Sequence, residues 1–307
     1  MIQRVTQQSV ARSVSQSIRR ATENLNTAQE QVATGRRISR LSDAPLDAAR
    51  AHRLRANRGR LEQHMENLEY AQSNIEFTAS TVQGIGDLFV EAKDICIRAA
   101  DGATLAEERQ ALAGAADQLL ETLVRQANAE YDGHYVLAGT ADDAPPFTVQ
   151  RSGGSIAAVT YGGSRTTLAL DIAPRTDVEL GETGTNVFSG TDAFDALIEL
   201  RDLLRNTDGL SEREQAAALS DHIGVLREAH ETVVDATSAL GWRSNQLEFT
   251  RTVLEDTTLA DTALISELED ADYAEAVSLL QRSEAGLQMA LAISARMIQN
   301  TLLNYLE

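Results

Sequence analysis

The chain has 307 residues, only 4% of them aromatic, with four prolines, one cysteine and a formal charge of −19. That length leaves room for two or three compact units, and the Ala-, Leu- and Arg-rich, proline-poor composition is that of long helices. The acidic balance argues against a nucleic-acid binder, the single Cys96 excludes a disulfide framework or an all-cysteine metal site, and the absence of an 18-residue apolar run excludes a membrane-spanning helix.

The charge is unevenly spread. Residues 1–60 hold 12 arginines against four acids, a charge of +8, which leaves −27 for the rest. These arginines sit among helix formers without interleaved aromatics, so mutual attraction between the two ends explains them better than a nucleic-acid arm does. Residues 1–22 have the Arg- and Ser-rich composition of a mitochondrial transit peptide. However, the helical spacing continues past Val32, which a removable leader would not need.

Taken in chain order, the first element is marked by Val14, Ile18, Ala21, Leu25, Ala28 and Val32, which alternate steps of four and three in a heptad seam. Gly35 offers a helix stop, and Ser42-Asp43-Ala44-Pro45 signals a new start with proline in the first turn. The second helix keeps its register through Leu61, Leu68, Ile75, Val82, Phe89 and Cys96, and Asp101-Gly102 ends it. Cys96 lies in that seam and reads as a buried small hydrophobe. Thr104 with Glu107 has the spacing of a capping box opening a third helix, whose seam is Leu105, Leu112, Ala116, Leu119, Leu123 and Ala127.

From Tyr135 to about Gly190 the helical period disappears. Tyr135–Leu137, Phe147–Arg151, Ile156–Tyr161 and Thr166–Ile172 are β-like runs, and Ser152-Gly153-Gly154-Ser155 and Gly162-Gly163-Ser164 read as hairpin-type turns. Asp192–Leu204 returns to helix along Phe194, Leu197, Leu200 and Leu204. A second capping box, Ser211 with Glu214, precedes a seam from Leu219 through Leu226, Val233, Leu240, Leu247 and Leu254 to Leu268, about 55 residues and roughly 80 Å if unbroken. The register weakens over Thr257–Thr262, where a bend is expected.

The last segment, Ala271–Leu306, has two apolar edges. One carries Tyr273, Val277, Leu280, Leu287, Leu291 and Ile298, the other Ala276, Leu279, Ala290, Ile293 and Met297. A helix apolar on two edges needs neighbours on two sides. The amino-terminal helix covers one, and the other falls to another subunit unless the central helices reach it. The candidate assembly interface is therefore Val14, Ile18, Leu25 and Val32 with Val277, Leu280, Leu287, Leu291 and Ile298. The expected fold is mainly α: a long antiparallel, coiled-coil-like bundle of the two halves with a small β-rich insertion. Its domains are residues 1–41 with 271–307, a terminal coiled coil for assembly; 42–134 with 205–270, a helical rod; and 135–204, the insertion.

No catalytic, cofactor or metal site is expected. The five histidines lack the HExxH pattern, and no phosphate-cradling glycine loop or nucleophile elbow is present; Gly84-Ile85-Gly86 lies inside a heptad. Glu267, Glu269, Asp270, Asp272 and Glu275 lack the glycine and alternation of a calcium loop and read as a solvated or Arg-paired helix start.

Several phrases resemble the flagellin superfamily. At the start they are Arg4-Val5-Thr6-Gln7-Gln8, Ala33-Thr34-Gly35-Arg36-Arg37-Ile38 and Ser42-Asp43-Ala44-Pro45; near the end, Ile265–Ala276, ISELEDADYAEA. Gly133-His134-Tyr135-Val136-Leu137-Ala138-Gly139-Thr140, Pro145-Pro146-Phe147, Val159–Gly163 and Gly184–Phe188 are closer to the superfamily's hook–filament junction members than to its filament subunits. Gly163 departs from that pattern, which usually has an acid there. The resemblance implies an extracellular flagellar protein with no enzymatic role, exported unfolded through the type III apparatus without a cleaved signal. It also implies a ring of copies, with hook-associated protein 1 on one side and flagellin on the other, a flagellar export chaperone, and termini that order on assembly. A filament subunit and a cytosolic coiled-coil scaffold are the alternatives; the scaffold needs neither the insertion nor export.

Overall fold

The structure is a computed structural model. It describes the backbone of residues 7–306 apart from 41, 103, 190 and 191, and the side chains of 12–296 with the same exceptions. The fold is mainly α with a small β-rich middle. Its helices are α1 (Gln7–Thr34), α2 (Pro45–Ala100), α3 (Ala106–Ala127), α4 (Gly184–Phe188), α5 (Asp192–Arg205), α6 (Glu212–Glu269) and α7 (Tyr273–Leu306). The strands β1 (Glu130–Tyr131), β2 (His134–Tyr135), β3 (Phe147–Ser152), β4 (Ser155–Tyr161), β5 (Leu168–Ala173) and β6 (Thr176–Leu180) form three antiparallel hairpins, β1–β2, β3–β4 and β5–β6. The chain divides into two compact units, residues 1–60 with 256–307 and residues 61–255.

In the 61–255 unit, α2 and α6 run antiparallel. The Cys96 thiol donates to the Leu219 carbonyl, and Gly86 faces Val233 and His230. Their seams, among them Leu68, Ile75, Phe89, Leu226, Leu240 and Leu247, are fully buried. Arg109, itself buried, ties three helices together by donating to the Ala99 carbonyl (3.1 Å) and to Gln215 (3.0 Å). The β-rich part closes over a cluster of Phe147, Phe188 and Phe194 with ring centroids 4.8–5.2 Å apart. Asn128 clamps the Phe147 backbone at both ends, accepting from its N–H (2.9 Å) and donating to its carbonyl (2.8 Å). A Cβ on Gly184 would lie 2.4 Å from the Phe147 ring, so only glycine lets α4 reach this cluster.

Four local expectations change. Thr104 does not cap α3; its hydroxyl donates to the Arg98 carbonyl (2.8 Å) at the end of α2, and the N-cap is Leu105 with no side-chain bond. Gly162-Gly163-Ser164 is not a hairpin turn, because β5 pairs with β6, a strand the glycine pattern did not reveal. Instead Gly162 N donates to Pro146 O (2.8 Å) and Ser164 N to Ala138 O (2.7 Å), folding the segment back onto the preceding loop. The Tyr135–Leu137 run is strand only at Tyr135, in β2. Finally, α6 is unbroken across Thr257–Thr262; Thr262 donates its hydroxyl to the Thr258 carbonyl (2.7 Å), which lets threonine sit within a helix.

Candidate assembly surfaces

The unit of residues 1–60 and 256–307 is built around an elbow. Gly35 takes φ +69°, a left-handed turn that ends α1. Its carbonyl accepts from Ala271 N (2.9 Å), so the last turn of α1 lies beside the first turn of α7 and the two helices pack antiparallel. Asp272 caps α7, its carboxylate accepting from the N–H groups of Ala274 (2.8 Å) and Glu275 (3.2 Å). Arg37 fastens the elbow, donating to the Leu268 carbonyl (2.7 Å) and to Asp47 (3.3 Å). Glu269, almost wholly buried, is neutralised by Arg55, and Asn57 donates to Asp261 (2.8 Å). The acid run is thus partly Arg-paired and partly a cap. Asp43, in the turn before α2, is held below the usual carboxylate range by the Arg40 N–H it accepts, with the Ser42 hydroxyl adding to this.

The helices are only half-covered. Val14, Ile18, Leu25 and Val32 of α1, and Val277, Leu280 and Leu287 of α7, are all intermediate in exposure. Leu291 is half exposed, and the side chain of Ile298 lies outside the described residues. The line of contact runs between the two sequence-read edges of α7 rather than along either. Ala276 and Ser294 are buried, and Leu280, Leu287 and Ala290 are half-buried beside them. Large apolar side chains are left out on both flanks: Tyr273 and Leu291 on one, Leu279 and Ile293 on the other, with Met289 behind. Burying each would contribute about 1.5–3 kcal/mol, so the helix presents an unused driving force for association.

Seam-reading missed a second exposed set, Trp242, Phe249 and Val253 on α6. Trp242 and Phe249 are spaced seven apart, as in the buried seam, so the same periodicity applied to the other side of the helix would have found them. It also missed that His134, Asp142 and Asp143 converge, with potential ligand atoms within 4.8 Å of one another. These are the described residues best placed to hold a cation. As they stand, His134 Nδ1 lies 2.9 Å from the Asp142 carboxylate in a solvent-facing pair. The other histidines are dispersed, and buried His222 bonds the Ala196 carbonyl through Nε2 (2.8 Å). Cys96 is buried, its thiol pushed up to about 12 by desolvation.

A model of the bacterial flagellin N-terminal helical region matches residues 5–142, and one of the bacterial flagellin C-terminal helical region matches 223–306. The chain belongs to the flagellin superfamily. Among curated relatives of this flagellin-superfamily chain are the flagellar hook-associated protein 3 of Escherichia coli and that of Salmonella typhimurium. Each is 23% identical over 278 residues, covering 84% of this chain and 86% of the relative. The fold is also that of the flagellar junction protein of Legionella pneumophila, 16% identical with a TM-score of 0.61 over 72% of this chain and 99% of the other. No described helix is long and apolar enough to cross a membrane.

Proposed function

We propose that the chain is a structural subunit of the bacterial flagellum that joins hook to filament and assembles through its terminal helices, without catalytic residues. The observation that carries this is the half-covered α7, with Leu279, Met289, Leu291 and Ile293 exposed, in a chain that aligns with hook-associated protein 3 relatives over most of its length. Residues 1–41 with 271–307 serve as the assembly part, 42–134 with 205–270 as the rod and 135–204 as the insertion. The interface comprises Val14, Ile18, Leu25, Val32, Val277, Leu280, Leu287, Leu291 and Ile298. Copies of the chain form a ring, with hook-associated protein 1 and flagellin as axial neighbours. The chain reaches that place through the flagellar export route, with an export chaperone and without a cleaved signal.

Immunolabelling of sheared flagella tests the reading. Label confined to one site per filament, at its base, is the expected result; label along the whole filament would make the chain a filament subunit, and label only inside cells would make it a scaffold. Deleting residues 1–32 or 275–307 should leave a folded middle that no longer incorporates, and a truncated chain that still polymerises contradicts the assignment of the interface.

A further inference from the structure

α6 is apolar on two opposite sides. The inner side, including Leu240, Leu247 and Leu254, is buried. On the other side stand Trp242, the chain's only tryptophan, 68% exposed, and Phe249, 71% exposed, with Val253 next in line at 46%. At about 100° per residue, these three fall within roughly 40° of one another and opposite the buried seam. Asp235 and Asp256 continue the same line at its two ends, both exposed, whereas Glu231 pairs with Arg227 (3.6 Å), and Glu248 and Glu255, about 100° or more round the helix, pair with Arg251 (3.9 and 3.7 Å). The stripe is apolar at its centre and acidic at its two ends.

A surface of complementary character lies in the unit of residues 1–60 and 256–307. It is an open cleft of about 440 Å³ with Leu54, Leu264 and Leu268 as its apolar wall and Arg50 and Arg53 on its rim with Glu267. Leu264 is 47% exposed. Unlike Arg37 and Arg55, which hold Asp47 and Glu269, Arg50 and Arg53 have no acid within salt-bridge distance among the described residues.

We propose that the Trp242–Phe249–Val253 stripe of one copy docks in the Arg50/Arg53/Leu54 cleft of a second copy. The rings cover Leu54 and Leu264, one arginine stacks on the Trp242 face, and Asp235 and Asp256 at the ends of the stripe neutralise the rim. This rests on the reading that the chain assembles with copies of itself, and it adds which surfaces meet. Because the two patches differ, the contact is heterologous: every copy keeps one stripe and one cleft to offer, so the contact repeats until it closes into a ring or continues as a helix.

The full chain tests this directly. Copies carrying Phe249→Cys are mixed with copies carrying Arg53→Cys under mild oxidation; Cys96, buried and poorly ionised, stays out of the exchange. The mixture should give a disulfide-linked heterodimer, and either variant alone several-fold less. Equal yields from all three samples, or no product, overturn the proposal. Arg50→Glu with Arg53→Glu in wild-type-stripe copies should lower association, and Asp235→Arg with Asp256→Arg in the partner copies should restore it. Emission from Trp242 should shift to the blue as copies associate; a signal already blue-shifted in dilute monomer would mean the stripe is covered within one chain and overturns the idea. Cross-linking with no label at the hook–filament boundary would sink the proposed function and spare this contact, and correct labelling without cross-linking would do the reverse.

Discussion

The two compact units are stabilised differently. Residues 61–255 bury Phe89, Phe188, Phe194, Leu68, Ile75 and Ile85 to 1% exposure or less. In the unit of residues 1–60 and 256–307, the buried apolar residues among those described are Ala28, Ile38, Ala51 and Ala276, three of the four being alanine. Apart from Ile38, its larger described apolar groups are half-covered or open. The first unit has the core of a self-sufficient fold, whereas the second has helices whose apolar surface exceeds what their own chain covers. The difference teaches that a strong heptad seam specifies a helix and its apolar face, but not whether the partner lies in the same molecule.

The largest expected effect strikes the middle. Phe194→Ala removes a fully buried ring that packs on both Phe147 and Phe188 and should cost about 3–5 kcal/mol, seen as a lower urea midpoint in the full chain. Arg243→Met comes next. Arg243 reaches the buried Glu182 carboxylate (2.8 Å) and the Gly181 carbonyl, so its loss leaves a buried charge and should cost about 3 kcal/mol in the same assay. By contrast, Leu287→Asp or Leu291→Asp should leave the circular-dichroism melt of the middle unchanged and abolish incorporation. A coincident fall in melting temperature would place those residues in the core and erase the distinction between the units.

The smallest effect is at the start of α6. There Ser211 and Glu214 form the capping box read from sequence: Ser211 N donates to the Glu214 carboxylate (3.0 Å), and Glu214 N donates to the Ser211 hydroxyl (3.4 Å). Ser211→Ala should cost about 1 kcal/mol. The hydroxyl, with the Ser211 N–H, holds the Glu214 carboxyl below its ordinary value. A folded-state pKa lower than the unfolded one stabilises above the unfolded value, and that contribution is lost as pH falls through the folded one. The Ser211→Ala penalty should therefore shrink when the melt is repeated in acid, and a penalty that grows with acidity would contradict this pairing.

Legibility in the sequence followed how local the determining interaction is. Gly35, Pro45 and Asp101-Gly102 marked helix ends because they act within one turn, and the Ser152–Ser155 turn predicted the β3–β4 hairpin for the same reason. Thr104 misled because its spacing to Glu107 fits a cap, while its hydroxyl had a better acceptor six residues back at Arg98. β6 was hidden because Thr176-Asp177-Val178-Glu179-Leu180 carries two acids, and only Val178 of the five is buried. At the candidate surfaces, the apolar residues of α7 were legible as two edges, but which of them α1 covers depends on rotation about the helix axis, and that is settled by small residues such as Ala276 and Ser294. The outward stripe of α6 went unread because its stronger seam satisfied the helical pattern first.

Hydrogen exchange on the full chain, compared between dilute monomer and assembled flagella, tests the central claim most directly. Amides of residues 12–34 and 273–296 should exchange fast in the monomer, those of the seams within 61–255 slowly, and the terminal set should gain protection on assembly. Equal, slow exchange at both ends and in the middle of the isolated chain would contradict the account.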